Sequence, residues 1–468
     1  MIRSVDSATP RTAFARRSLL GAALSIGALA ALPHARLLAA AGARPAKRNA
    51  WAAGYGALRP ARDLNTGLEL LSLPAGFSYR SFGWTGEPMA DGTPTPGAHD
   101  GMGVVKERGS KLLLVRNHEL VGVTGAFGPR EMQYDAAATG GTCTVEFDTK
   151  TGKGGVTRPS LTGTLQNCSG GVTPWGTWLS CEELAANPDD AVSPLTKPHG
   201  FVFEVDPAGG VPQPLHDCGQ FRHEAAVVHA ATGDVYLTED RAPRAGFYRM
   251  RPRSPGKLAE GGQLQVLGVE GRNDLRRGVV RGATFKTRWF DIAHPTAVHS
   301  SGTRDGLGVL AQGLAAGGAT FTRLEGCFAT RDVIYFTATD GGDAASGQVW
   351  AYTPDSASLT LLFESPDREL LNYPDNLCFS PRGGLVLCED GDRAEGEYLH
   401  GLGTDGGLFP FAQNCVVLDA PVYGHSGDFR TAEWAGACFS RDGRWLFANI
   451  YSPGFSVAIT GPWKRGLI

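Results

Sequence analysis

Residues 224–240 read EAAVVHAATGDVYLTED, and this stretch decides how the rest of the chain is read. Glu224 opens a run of small apolar residues, a turn holding Gly233 and Asp234 follows, and a β-branched and aromatic run then closes on Glu239 and Asp240. Two apolar runs joined by a Gly-containing turn predict an antiparallel hairpin. The same pattern recurs from His99-Asp100 to Glu119, from Cys168 to Glu183, from Glu325 to Asp340, from Asp375 to Glu389-Asp390 and from Glu433 to Asn449.

Opening and closing residues lie 19, 15, 15, 15, 14 and 16 apart, and successive closing residues are separated by 64, 56, 101, 49 and 60. Further strand-like runs begin at Cys143, Gly200, Gly246, Gly347 and Gly407, which makes about four short strands per period. A period of ~40 to 60 residues with that content is the signature of propeller blades. The expectation is an all-β, six-bladed propeller with long loop insertions, the largest around residues 250–320; seven blades is the alternative for the 101-residue gap.

Composition agrees with repetition. Of 468 residues, 64 are Gly and 29 Pro, only 19% are charged and 42% are apolar, which excludes a disordered chain, a coiled coil and a helical bundle. Length alone favours two or three domains, but one unit used repeatedly needs only one. The net charge of −3 and pI near 6.4 give no footing for nucleic acid. Glycine-rich stretches at 91–97 and 313–318 lack P-loop spacing.

The first forty residues read as an export signal. Basic residues from Arg11 to Arg17 precede an apolar run from Leu19 to Leu32, with small residues at Ala39, Ala40 and Ala41. Arg16-Arg17 followed by Ser18-Leu19-Leu20 resembles a twin-arginine signal, read by the twin-arginine translocase. An ordinary secretory signal or a retained anchor is the alternative. Residues 41–468 are then expected to form one propeller, periplasmic or secreted, monomeric and without stable membrane association. The nine cysteines contain no CxxC pair, and their odd number leaves at least one thiol outside any disulfide framework.

In an antiparallel hairpin the first residue of one strand and the last of the next lie at the same end. The opening and closing acids of all six units therefore crowd one rim: Asp100, Glu119, Glu183, Glu224, Glu239, Glu325, Asp375 and Glu389. For any single acid, turn chemistry is a sufficient explanation; six coincident pairs are not so easily dismissed. Like charges this close raise each other's pKa, and bound cations relieve them. Carboxylate and amide oxygens suit Ca²⁺, whereas Cys168, in the slot that Glu224 and Glu325 fill in other units, adds a soft sulfur that suits iron. Arg323 stands two residues before Glu325, so on a strand both face one side. Its fork suits phosphate oxygens, although it could merely neutralise neighbouring acids. With such a cation cluster, the nucleophile for phosphoryl transfer would be a metal-bound oxide or hydroxide.

The block from Gln166 to Glu183, together with Arg116-Asn117-His118-Glu119, Arg222-His223-Glu224-Ala225, Thr322-Arg323-Leu324-Glu325-Gly326 and Tyr373-Pro374-Asp375-Asn376-Leu377, resembles the PhoX family of secreted alkaline phosphatases. The likeness runs from about residue 60 to the end. It implies a six-bladed propeller, twin-arginine export, and a centre of two iron and three calcium ions that hydrolyses small-molecule phosphate monoesters. By position, Cys168, Glu224 and Glu325 would match iron ligands, and Glu183, Glu239, Asp375 and Asn376 would surround calcium or the cluster, with Glu119 on the same rim. Arg323 and Asn117 would match phosphate contacts. Two rival readings remain: a calcium-dependent propeller lactonase or esterase using His118 or His223 as base, and a non-catalytic propeller whose ions are structural.

Overall fold

A computed structural model describes residues 33–42, 54–190 and 194–468. The repeat units become sheets packed around a common axis as a β-propeller. Each begins with an innermost strand: His99–Arg108, Asn167–Val172, His223–Val228, Leu324–Ala329, Pro374–Phe379 and Trp434–Phe439. Each of these packs beside the next, and the last returns to the first, so the six inner strands form a closed ring. Each pairs antiparallel with the strand that follows it, as the turn chemistry requires.

The ring is closed by chain ends from opposite sides of the sequence. Ser78–Phe82 pairs with Phe455–Thr460 to complete the sheet begun by Trp434–Phe439. Leu71–Pro74 and Leu58–Ala61 extend the neighbouring sheet beyond Leu408–Asn414. Joining the first and last blades in this way makes opening the ring cost a whole strand ladder. Apolar faces meet between blades, as in the cluster of Trp434, Phe411, Phe455 and Trp463, where the Phe411 and Trp463 rings lie 5.2 Å apart.

The long gap before Glu325 proves to be both blade and insertion. Phe247–Pro252 and Gly262–Val269 are the outer strands of one blade, and Thr284–Asp291 pairs with Gly262–Val269 on one side and Ser358–Glu364 of the next blade on the other. A loop at 292–307 and a helix, Gly308–Ala316, complete it.

Close approach at the axis requires small residues. A Cβ on Gly171 would sit 2.2 Å from the Ala226 carbonyl oxygen, and one on Gly326 would sit 2.5 Å from that of Asp375. All nine cysteines are free. Residues 1–32 of the expected export signal, Arg16-Arg17 included, lie outside the described residues. Pro33–Ala41 is a helix whose Leu37 and Ala41 are buried beside Val333, Tyr335 and Leu362. Among the described residues no helix is long and apolar enough to cross a membrane.

Candidate metal centre

Every inner strand breaks register with its partner near its start, between His99 and Met102, Asn167 and Gly170, His223 and Ala226, Leu324 and Cys327, Pro374 and Leu377, and Ala435 and Cys438. Such a bulge bends the strand and re-aims a side chain. In five of the six, the residue after the first paired one carries the chemistry: Asp100, Cys168, Glu224, Glu325 and Asp375. The sixth strand has Ala435 there.

A backbone hydrogen bond repeats beside each bulge. The amides of Glu119, Glu183, Asp240, Thr339, Asp390 and Tyr451 donate to the carbonyls of Ala98, Gln166, Arg222, Arg323, Tyr373 and Glu433. These bonds define two outer tiers of equivalent positions above the bulge residues. Ala98, Gln166, Arg323 and Tyr373 all adopt left-handed backbone, with φ of 49°, 51°, 38° and 57°. That conformation is costly for a side-chain-bearing residue and persists only where the surroundings enforce it.

The tiers bring donors together in overlapping groups. Asp100, Cys168 and Glu224 offer ligand atoms within 4.8 Å of one another, as do Glu119, Cys168 and Glu183, and also Asp100, Glu119 and Glu433. Cys168 Sγ lies 3.1 Å from Glu183 Oε2. Gln166 donates to Glu119 and Glu183, and Arg222 pairs with Glu183. Arg323 reaches three acids: Nη2 is 2.5 Å from Glu325 Oε1, Nε is 3.2 Å from Asp240 Oδ1, and Asp390 Oδ2 is 3.7 Å from Nη2.

The electrostatics follow from this crowding. Burial first, then the neighbouring carboxylates, hold Asp100, Glu224, Glu325 and Glu433 well above the usual carboxylate range, and the same causes raise the Cys168 thiol. Glu119 is pushed up to about 7 by burial and Glu183, and Asp375 to about 6 by burial and Asp390. Asp100 Oδ1 is buried without a hydrogen-bond partner, and Glu325 Oε1 accepts no well-aligned hydrogen bond although Arg323 is beside it. Unsatisfied buried carboxylate oxygens crowded by other carboxylates are what bound cations would satisfy, so the residues fit a metal cluster.

Several sequence-based assignments are corrected. Glu239 faces into its own blade, where Oε2 accepts from Gly246 N and Tyr248 Oη, each at 2.9 Å. Its neighbour Asp240 turns to the axis instead. Glu182 and Glu389 are committed in the same way, Glu389 to His400, Arg393 and the amides of Asn372 and Tyr398. Asn117 is fully buried and fully bonded: Nδ2 donates to the Cys168 and Ser169 carbonyls, and Oδ1 accepts from Trp178 and Ser180. It fastens two blades and has no group left for phosphate. Asn376 donates to Asp375 Oδ1 and accepts from Gly436 N at 2.8 Å, so it orients Asp375 from the neighbouring position.

Glu325 and Asp375 close the ring but belong to none of the three-donor groups. Glu433 does belong; its place at the opening of the sixth unit is readable from sequence, although nothing there marks it as a ligand. Asp100, one of the rim acids, enters two of the groups. His118 and His223, the bases a lactonase would need, are wholly buried and bonded to the carbonyls of Gly97 and Gly219.

The solved structure of Pseudomonas fluorescens PhoX in complex with vanadate superimposes with a TM-score of 0.62 at 19% identity, covering 88% of this chain and 98% of that one. A gluconolactonase from Xanthomonas campestris gives a TM-score of 0.42 at 12% identity over 90% of this chain and 99% of that one. No curated protein matches the sequence. A family model described as alkaline phosphatase PhoX matches residues 53–159 and 148–454. The chain therefore belongs to the alkaline phosphatase PhoX family of phosphoric ester hydrolases.

Proposed function

We propose that the axial cluster is a mixed iron and calcium centre that hydrolyses phosphate esters outside the cytoplasm, after twin-arginine export. The observation that carries this reading is that Cys168, Asp100 and Glu119 each belong to two of the three donor groups, so cations bound there would share ligands as one cluster. Cys168 with Glu224 and Asp100 would hold iron, since thiolate sulfur selects a transition metal. The all-oxygen group of Asp100, Glu119 and Glu433 suits calcium. When bound, the cations supply charge to a phosphoryl group and lower the pKa of coordinated water.

The chain's own residues do the rest. Arg323 is about a quarter exposed, at 27%, while Glu325 beneath it is buried at 4%, so the guanidinium lines the mouth of the site with its charge anchored from below. There it can bind phosphoryl oxygens through paired N–H donors. In the preceding blade Arg222 holds the equivalent position, where Glu183 pairs with it. The left-handed backbone at Arg323 and Gln166 fixes where these side chains start, so no reorganisation is needed as charge develops. Export in the folded state would let iron be bound to Cys168 before the thiol meets an oxidising compartment.

Hydrolysis of a chromogenic phosphate monoester tests the reading. The wild-type protein should turn it over, a chelator should stop it, and Cys168→Ala should lack activity while keeping a cooperative thermal transition. Full activity in Cys168→Ala would contradict it.

A further inference from the structure

Beside the centre lies a cleft of about 490 Å³, sharing Gln166, Glu183 and Arg222 with it and continuing under the insertion loop to Arg241, His299 and Arg304. That volume is in the range of small-molecule sites. An ester whose phosphoryl group sat beside Glu183 and Arg222 would have this cleft within reach of its leaving group.

The arginines of the cleft are not equivalent. Arg222 is neutralised by Glu183, and Arg304 Nη1 is 3.0 Å from Asp190 Oδ1. Arg241 has no carboxylate within 4.0 Å among the described residues; its guanidinium donates to the Asp305 carbonyl at 2.8 Å and the Gly306 carbonyl at 3.4 Å. The nearest acid of the loop, Asp305, is committed to its own turn, accepting from Ser300 N and Leu307 N. His299 locks the loop, with Nε2 on Asp190 at 2.9 Å and Nδ1 accepting from Gly306 N at 3.0 Å. Arg241 is thus a fixed positive charge, with no carboxylate in contact, in a cleft that opens on the reacting centre. A second arginine-lined cleft, with Arg272, Arg276 and Arg277, shares no residue with the centre, and Arg276 is bound by Asp274.

We infer that the Arg241 cleft is a subsite for a second anionic group, so that the favoured substrates are phosphate esters whose leaving group carries a carboxylate or a further phosphate. This rests on the phosphatase reading above. A charged partner for Arg241 forms charge-assisted hydrogen bonds, whereas a neutral leaving group leaves the guanidinium as it is.

Glycerol phosphate and phosphoglycerate form a matched pair, differing in a hydroxymethyl group against a carboxylate. The wild-type protein should favour phosphoglycerate. Arg241→Ala should raise the KM for phosphoglycerate about 10- to 100-fold, the loss expected of a charge-assisted hydrogen bond, and change glycerol phosphate turnover by less than about threefold. Arg241→Lys should recover part of the preference. No preference in the wild-type protein, or an equal loss on both substrates in Arg241→Ala, would overturn the subsite. A wild-type protein inactive on both esters and on the chromogenic monoester would instead overturn the phosphatase reading beneath it.

Discussion

Cys168 Sγ and Glu183 Oε2 stand 3.1 Å apart although one lies on the opening strand of a hairpin and the other just beyond its closing strand. The bulge at Cys168 and the hydrogen bond that the Glu183 amide donates to the Gln166 carbonyl produce that meeting. The same backbone construction in each blade turns one repeated hairpin into a ring of candidate ligands, five of them at the bulges, so single substitutions should separate ligand from scaffold.

Glu183 and Glu239 make the sharpest contrast. Glu183→Ala should lower metal content and activity with little effect on the melting temperature of the metal-free protein. Glu239→Ala strands the Gly246 amide and the Tyr248 hydroxyl, so it should cost about 2–4 kcal/mol of stability and leave metal binding largely intact. Denaturation and elemental analysis of both variants check this.

The metal-free protein should become less stable as pH rises from about 5 to 8. Glu119 and Asp240, both pushed up to about 7, and Asp375, pushed up to about 6, bind protons more tightly folded than unfolded. The stability they lend is complete below the ordinary carboxylate pKa and is lost as pH climbs through the raised values. Saturating metal should flatten or reverse the slope, because ligands must shed protons to bind. Thermal melts across that range, with and without metal, measure it.

Gly326→Ala should be destabilising by about 1–3 kcal/mol or more, since its new Cβ would meet backbone at Asp375 and Leu377 that cannot swing aside. Activity should fall as well, because the same contact displaces Asp375. An unchanged melting temperature would contradict the tight axial packing.

Arg323→Ala should reduce turnover of a phosphate monoester by about 10²- to 10³-fold, the scale of losing one preorganised charge donor. Iron and calcium content should remain, which separates a phosphate contact from a residue that only neutralises Glu325, Asp240 and Asp390.

Much of this is legible in the sequence, for a physical reason. Hairpin grammar repeats with the blade, so the acids at its ends fall on one rim wherever the grammar holds. What sequence does not decide is which of two adjacent acids faces the axis. In the pairs Glu182-Glu183, Glu239-Asp240 and Glu389-Asp390, successive side chains point opposite ways, and the first is consumed by amides at or just before the start of the next strand. Family position draws Asn117 and Asn376 toward the centre, yet both are committed to holding neighbouring strands together. Glu433 is hidden because its blade has Ala435 at the bulge and supplies its acid from an outer tier instead.

In the function proposed here, Cys168 anchors iron in a centre that also holds calcium. Elemental analysis of the protein purified without chelator, beside Cys168→Ala prepared in parallel, tests it most directly. Iron and calcium should be found together in the wild-type protein, and the variant should lose iron and retain calcium. Active wild-type protein containing calcium but no iron would contradict it.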